Sequence, residues 1–180
     1  MPKTFFEAPD EVWKLKHSVV GEHFPTWAEL REPLTIGLQM VVADEDKPAL
    51  TKGGWPCEAL VSVVPTKHRA SGGPDVLIQL DGSAWRDLTE HQKRALLHHE
   101  LLHIELVDVK TVYPDEGEPY RICKLDSLRR PVVKLRKHDY ECGGFRKIHE
   151  LYGEDSPEHR QLEVATTILA QQVFPFAKAV

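Results

Sequence analysis

His99-Glu100-Leu101-Leu102-His103 is the stretch on which the reading of this chain turns. It has the H-E-x-x-H spacing. On an α-helix, positions i and i+4 lie one above the other on the same face. Two imidazoles so placed can offer neutral ring nitrogens to one Zn²⁺. Glu100 is turned by about 100° from His99, so its carboxylate stands beside such a metal rather than on it. There it can take a proton from water and pass it to a leaving group. Shuffling a chain that holds 10 His would still give the motif in roughly one chain in twenty. The surrounding sequence therefore has to carry the argument.

Upstream, Thr89 fits an N-cap, and Gln92 three residues on completes a T-x-x-Q capping box. The pattern predicts a helix from about Glu90 to Leu106. On a wheel with His99 at zero, His103, Leu106, Ala95, Leu102 and Leu96 fall within about 60°. Leu97, Leu101 and Ile104 lie opposite, and His91, Arg94, His98 and Glu105 form one narrow polar stripe. A helix apolar around most of its circumference is buried in a domain. Buried histidines and a buried glutamate need partners. A metal with its water satisfies all three; the plainer reading of the His pair is two core histidines bonded to backbone carbonyls.

The rest of the chain reads as an α+β fold. A helix is expected over residues 10 to 22, closed by Pro25. Leu34–Ala43, Ala59–Val64 and Val76–Leu80 read as strands, with a polar loop from Asp44 to Pro56 and a turn at Ser71-Gly72-Gly73-Pro74. Asp81-Gly82 ends the third strand. Weak strands at 107–112 and 120–124 suggest a hairpin, and Pro131-Val132-Val133 a further short strand. Glu141–Tyr152 reads as a helix capped by Gly153, although Gly143-Gly144 suits its first turn poorly. Ser156-Pro157 opens a last helix to about Val173. A small twisted mixed sheet would pack on the motif helix, with the first and last helices outside. The expected organisation is one domain over 1–180.

A catalytic zinc has three protein ligands and one open position, so a later segment must complete the set. The candidates are His138, in His138-Asp139-Tyr140-Glu141, then Glu141 and His149. Asp139 suits a helix cap or a partner for an imidazole, and Tyr140 a core position or an oxyanion donor. His98 points about 100° away from His99 and cannot share the metal. His17, His23, His68, His91 and His159 have no partner at ligand spacing.

The net charge of −5 argues against a broad nucleic-acid surface. Arg129-Arg130 and Lys134-Leu135-Arg136-Lys137 read as solvated faces. The three cysteines, Cys57, Cys123 and Cys142, are too widely spaced for a zinc ribbon or a disulfide scaffold and read as free thiols. No run of eighteen apolar residues marks a membrane span. The first residues lack an apolar signal core, which points to the cytosol.

Taken in order, the apolar strand ending in Asp81-Gly82, then Trp85, Leu88-Thr89, Arg94-Ala95-Leu96-Leu97, the His99–His103 motif and His138-Asp139-Tyr140-Glu141 resemble the phage metallopeptidase family. The chain is also distantly similar to SprT-like zincins, which carry a third His well after the motif. The resemblance spans the first helix to about Gly153. It implies a minimal zincin-like fold, one zinc per chain held by His99, His103 and His138, Glu100 as catalytic base, and peptidase activity on a peptide or protein, with the natural substrate left open. A phage-encoded chain would act in the bacterial cytosol. The sequence departs from the family pattern where Cys142-Gly143-Gly144 separates Glu141 from Phe145.

The expected reaction is hydrolysis of a peptide bond by a zinc-activated water with Glu100 as general base, on a peptide laid along an open sheet edge. Two other readings stand beside it. One is a non-catalytic zinc module that contacts a host protein. The other is a SprT-like protease acting on DNA-associated proteins through Arg129, Arg130, Lys134, Arg136 and Lys137.

Overall fold

The structure, a computed structural model, describes residues 2–43, 48–138 and 144–160. In chain order its elements begin with β1 (Lys3–Glu7), α1 (Asp10–His23), β2 (Ile36–Ala43), the two-residue strands β3 (Thr51–Lys52) and β4 (Trp55–Pro56), β5 (Ala59–Val63) and α2 (Thr66–Ala70). They continue with β6 (Val76–Asp81), α3 (Gly82–Asp87), α4 (Glu90–Leu102), β7 (Ile104–Leu106), β8 (Lys110–Val112), β9 (Tyr120–Ile122), β10 (Val133–Leu135) and α5 (Arg146–Tyr152).

The main sheet has the order β1-β2-β6-β5. β2 and β6 run parallel, while β1 and β5 pair antiparallel at the two edges. The α+β class and the mixed sheet expected from three strands are thus observed, with β1 as an additional edge. Alternation sets the faces. Leu38 and Met40 on β2, and Val76, Ile78 and Leu80 on β6, turn to one side and are buried against Val12 and Val19 of α1 and Leu96, Leu97 and Leu101 of α4. Each such side chain contributes about 1.5–3 kcal/mol by leaving water. On the other side Val41 is covered by Ala49 and Leu50.

α4 starts as the sequence dictates. Thr89 Oγ1 accepts from the Gln92 N–H at 3.2 Å, and the Gln92 side chain accepts from the Thr89 N–H at 3.0 Å. Its end differs from expectation. The helix stops at Leu102, not Leu106, because the β-branched Ile104 enters β7 and pairs with Leu135 of β10. His98 is also not on a solvated stripe. It is fully buried, bonded through Nδ1 to the Tyr152 hydroxyl at 3.2 Å and stacked on His23 with ring centroids 4.0 Å apart. Burial, reinforced by the neighbouring His23 and Lys147, pushes its pKa to about 3. The imidazole therefore packs as a neutral ring.

Other elements were not legible. α2 and α3 lie in stretches to which the sequence assigns no element, and the β3–β4 hairpin lies within the loop expected from Asp44 to Pro56. Asp81, read only as a strand end, caps α3 by accepting from the Ser83 and Ala84 N–H groups. The β8–β9 hairpin is present in a shorter form, and β10 sits two residues later than the strand expected at 131–133. α5 begins at Arg146 rather than Glu141, and residues 139–143 lie outside the described residues. Ser156 does open a helix, its hydroxyl accepting from the His159 N–H at 3.1 Å, with residues 157–160 helical and the remainder of the expected helix outside the described residues. Arg130 is not a solvated cation: its guanidinium meets Asp75 at 2.9 Å and the Gly73 carbonyl at 2.7 Å. No helix among the described residues is long and apolar enough to cross a membrane.

Candidate metal centre

Three segments converge on one point. α4 supplies His99, and His103 follows as its C-cap residue. The β7–β10 pairing then brings the chain back beside the helix end. The Arg136 N–H donates to the His103 carbonyl at 2.7 Å, and His103 Nδ1 donates to the Arg136 carbonyl at 2.8 Å. This reciprocal pair leaves His138 two residues away from a fixed anchor. His138 Nε2 lies 3.3 Å from His99 Nε2 and 3.1 Å from His103 Nε2. Among the described residues these three histidines form a group whose ligand atoms all lie within 4.8 Å of one another. His149, weighed as an alternative, is outside that group and faces His159 instead. Glu141, Asp139, Tyr140 and Cys142 lie outside the described residues.

The donor chemistry fits a metal. A carbonyl only accepts, so the proton of neutral His103 sits on Nδ1 and its Nε2 carries a lone pair. His99 Nδ1 is 2.7 Å from Oε1 of Glu158, a carboxylate buried to 2 % exposure. Burial opposes the charge on Glu158, but the bonds from His99 and from the Phe145 N–H outweigh it and hold its carboxyl below the usual glutamate value. An ionised Glu158 likewise places the His99 proton on Nδ1. Two inward lone pairs then meet a third imidazole. Nitrogens about 2.0–2.1 Å from a tetrahedral zinc would stand about 3.3–3.4 Å apart, close to the spacing seen. Burial also keeps His103 neutral, down to about 4, although its bond to the Arg136 carbonyl pulls the other way.

Phe145 floors the cluster, its ring 5.1 Å from His99, 4.7 Å from His103 and 5.2 Å from His138 between centroids. Glu158 and Phe145 were missed by sequence reasoning. Glu158 lies far from the motif, on a different segment, with no spacing to mark it. Its approach is made possible by Gly144, where a Cβ would come 2.0 Å from Glu158 Cγ. The glycine that disfavoured an earlier start for α5 is thus the space that Glu158 fills.

Glu100 is 5 % exposed and lines the same cleft as the three histidines, a space of about 70 Å³. Burial raises its carboxyl pKa, against the pull of His99 and Lys52. β5 forms one wall through Ala59, Leu60 and Val61, and Lys52 stands at the rim. A more open depression of about 470 Å³ runs between Trp13, Gly37, Pro74 and Arg130. It contains none of the three histidines, which line the smaller cleft.

A family model described as "Putative phage metallopeptidase" matches residues 3–170 of the chain. No curated protein and no solved structure matches it.

Proposed function

This chain belongs to the phage metallopeptidase family, and from that premise we propose that it is a zinc-dependent peptidase acting on peptide or protein substrates. One observation carries the reading. His99 and His103 have their Nδ1 protons committed to Glu158 and Arg136, so their Nε2 lone pairs, together with His138, face one point. Such a neutral, nitrogen-only set suits zinc. A zinc ion held there would supply Lewis acidity toward a scissile carbonyl and bring the pKa of water to about 7.

The chain's own residues do the remaining work. Glu100 takes the proton of the attacking water on a carboxylate oxygen and returns it to the departing amine. Its burial suits both roles, because a raised pKa lets the carboxyl hold and release a proton nearer neutrality. Glu158 and the Arg136 carbonyl keep two imidazoles aimed. β5 pairs with β6 on one side and lines the cleft on the other. An extended peptide can therefore add to that edge through backbone hydrogen bonds.

A buried carboxylate beside the three histidines supports catalysis over a purely structural zinc. The internal ion pair of Arg130 with Asp75 removes one cation from the set that a DNA-directed protease would use. The test uses untagged full-length protein, with metal content by mass spectrometry and peptidase activity on a mixed peptide library. Glu100→Gln should keep one zinc and lose about 10²–10⁴-fold in turnover. A variant that cleaves as well as wild type refutes the mechanism.

A further inference from the structure

β1 is the sheet edge opposite to the cleft. Its sequence is Lys3-Thr4-Phe5-Phe6-Glu7, and all five residues are exposed, Phe5 to 51 % and Phe6 to 44 %. Exposed aromatics on an open edge strand are unusual, because such edges recruit other strands. Among the described residues nothing pairs with the outer side of β1.

The backbone phase of that edge can be derived. Ala8, which continues β1, donates its N–H to the Leu38 carbonyl at 3.3 Å. Backbone groups alternate sides along a strand, so Thr4 and Phe6 also turn toward β2. The N–H and C=O groups of Lys3, Phe5 and Glu7 then point outward. The side chains of these three residues share a face, opposite Ala43, Val41 and Gln39.

We propose that a second copy of this chain pairs antiparallel with β1, centred on Phe5. In that register Lys3 of each copy faces Glu7 of the other, and the two Phe5 rings face each other. All three pairs are hydrogen-bonded pairs, since their backbone groups are the ones aimed outward. Opposite charges and aromatic pairs are the favourable cross-strand partners. The strand is thus complementary to itself in charge, in side-chain type and in backbone phase. The product is one eight-stranded sheet, β5-β6-β2-β1 continued by its symmetry mate, with two-fold isologous contact. Both clefts stay open at the far edges. The pairing spans only five residues, well short of a standard interface, so the dimer should be weak, with a dissociation constant of about micromolar or above.

Sedimentation equilibrium of the full chain, carrying no N-terminal tag, tests this across a wide concentration range. Wild type should associate reversibly to a dimer. Lys3→Glu and Glu7→Lys should each weaken it by about tenfold or more, because like charges then face each other twice. The double variant, Lys3→Glu with Glu7→Lys, should restore it. Phe5→Pro removes an outward donor without touching the inward bonds of Thr4 and Phe6, and should abolish the dimer while circular dichroism stays native. A wild type that stays monomeric overturns the proposal. So does a dimer indifferent to these changes, or a double variant that does not recover.

Discussion

Replacing Glu158 by Gln isolates the residue that sequence reasoning could not find. Its Oε1 accepts from His99 Nδ1 at 2.7 Å and from the Phe145 N–H at 2.9 Å. Glutamine keeps the volume, so the packing around Gly144 survives. It also keeps one acceptor oxygen, so neither donor need be abandoned. What it removes is the charge. A hydrogen bond to an ionised acceptor is roughly twice as strong as a neutral one. The negative charge also makes the His99 Nε2 lone pair more basic, and so a stronger metal ligand. Loss of such a partner weakens metal binding by about 10–100-fold, or about 1.4–2.8 kcal/mol at 1.4 kcal/mol per tenfold. The assay is competition for zinc against a chromophoric chelator, with thermal unfolding of the metal-free proteins measured alongside. Zinc affinity should fall within that range while metal-free stability moves much less. Equal zinc affinity in Glu158→Gln and wild type would refute the assignment of the Glu158 charge as what strengthens His99 as a ligand.

Several other changes test the same framework. His138→Ala should reduce zinc from one per chain to nearly none after dialysis; full retention would transfer the third position to another residue, Glu141 being the one weighed. Gly144→Ala has no room, since the new Cβ would lie 2.0 Å from Glu158 Cγ; it should lower stability by about 1–3 kcal/mol in denaturant titration and zinc affinity with it. Asp126 tests the pH dependence away from the cleft. Burial opposes its charge, but the Arg130 and Leu128 N–H groups and then the Arg69 guanidinium, 2.7 Å away, hold its pKa below 3.8. A carboxyl depressed in the folded state stabilises above its unfolded value and loses that stabilisation as pH falls through the folded one. Asp126→Asn should therefore be less stable than wild type at pH 7, with the gap closing below about pH 4; a constant gap in pH-resolved unfolding curves would contradict it.

The sequence was most readable where a pattern is local. The capping box at Thr89 and Gln92 and the alternation of Val76, Ile78 and Leu80 are each decided within a few residues, and the structure contains them as written. The i, i+4 spacing of His99 and His103 belongs to the same class. Reading failed where tertiary contact overrides local preference. Residues 103–106 continue an amphipathic helical pattern, yet Ile104 and Leu106 are taken by pairing with Leu135 and Val133. His98 looks polar on a wheel, yet Tyr152 and His23 come from elsewhere to enclose it. β1 holds two aromatics in a charged five-residue segment, too short to announce a strand, and is defined by its ladder with β2.

The same distinction explains the candidate site. Two of its histidines follow from helix geometry, whereas the third depends on a strand register that no local pattern encodes. If Leu135 did not face Ile104, Arg136 would not meet His103, and His138 would have no fixed place. The early end of α4 is therefore part of the site. A helix continued to Leu106 would consume the segment that pairs with β10 and would release the returning chain. Glu158 completes the same logic from the opposite side, since it reaches His99 only because Gly144 has no side chain. The Nε2 atoms of His99 and His103 are aimed by contacts whose other ends lie near a later helix start and beside a strand pair. Contacts outside the cluster thus orient its imidazoles, the support by which partners of metal-binding histidines hold them in place.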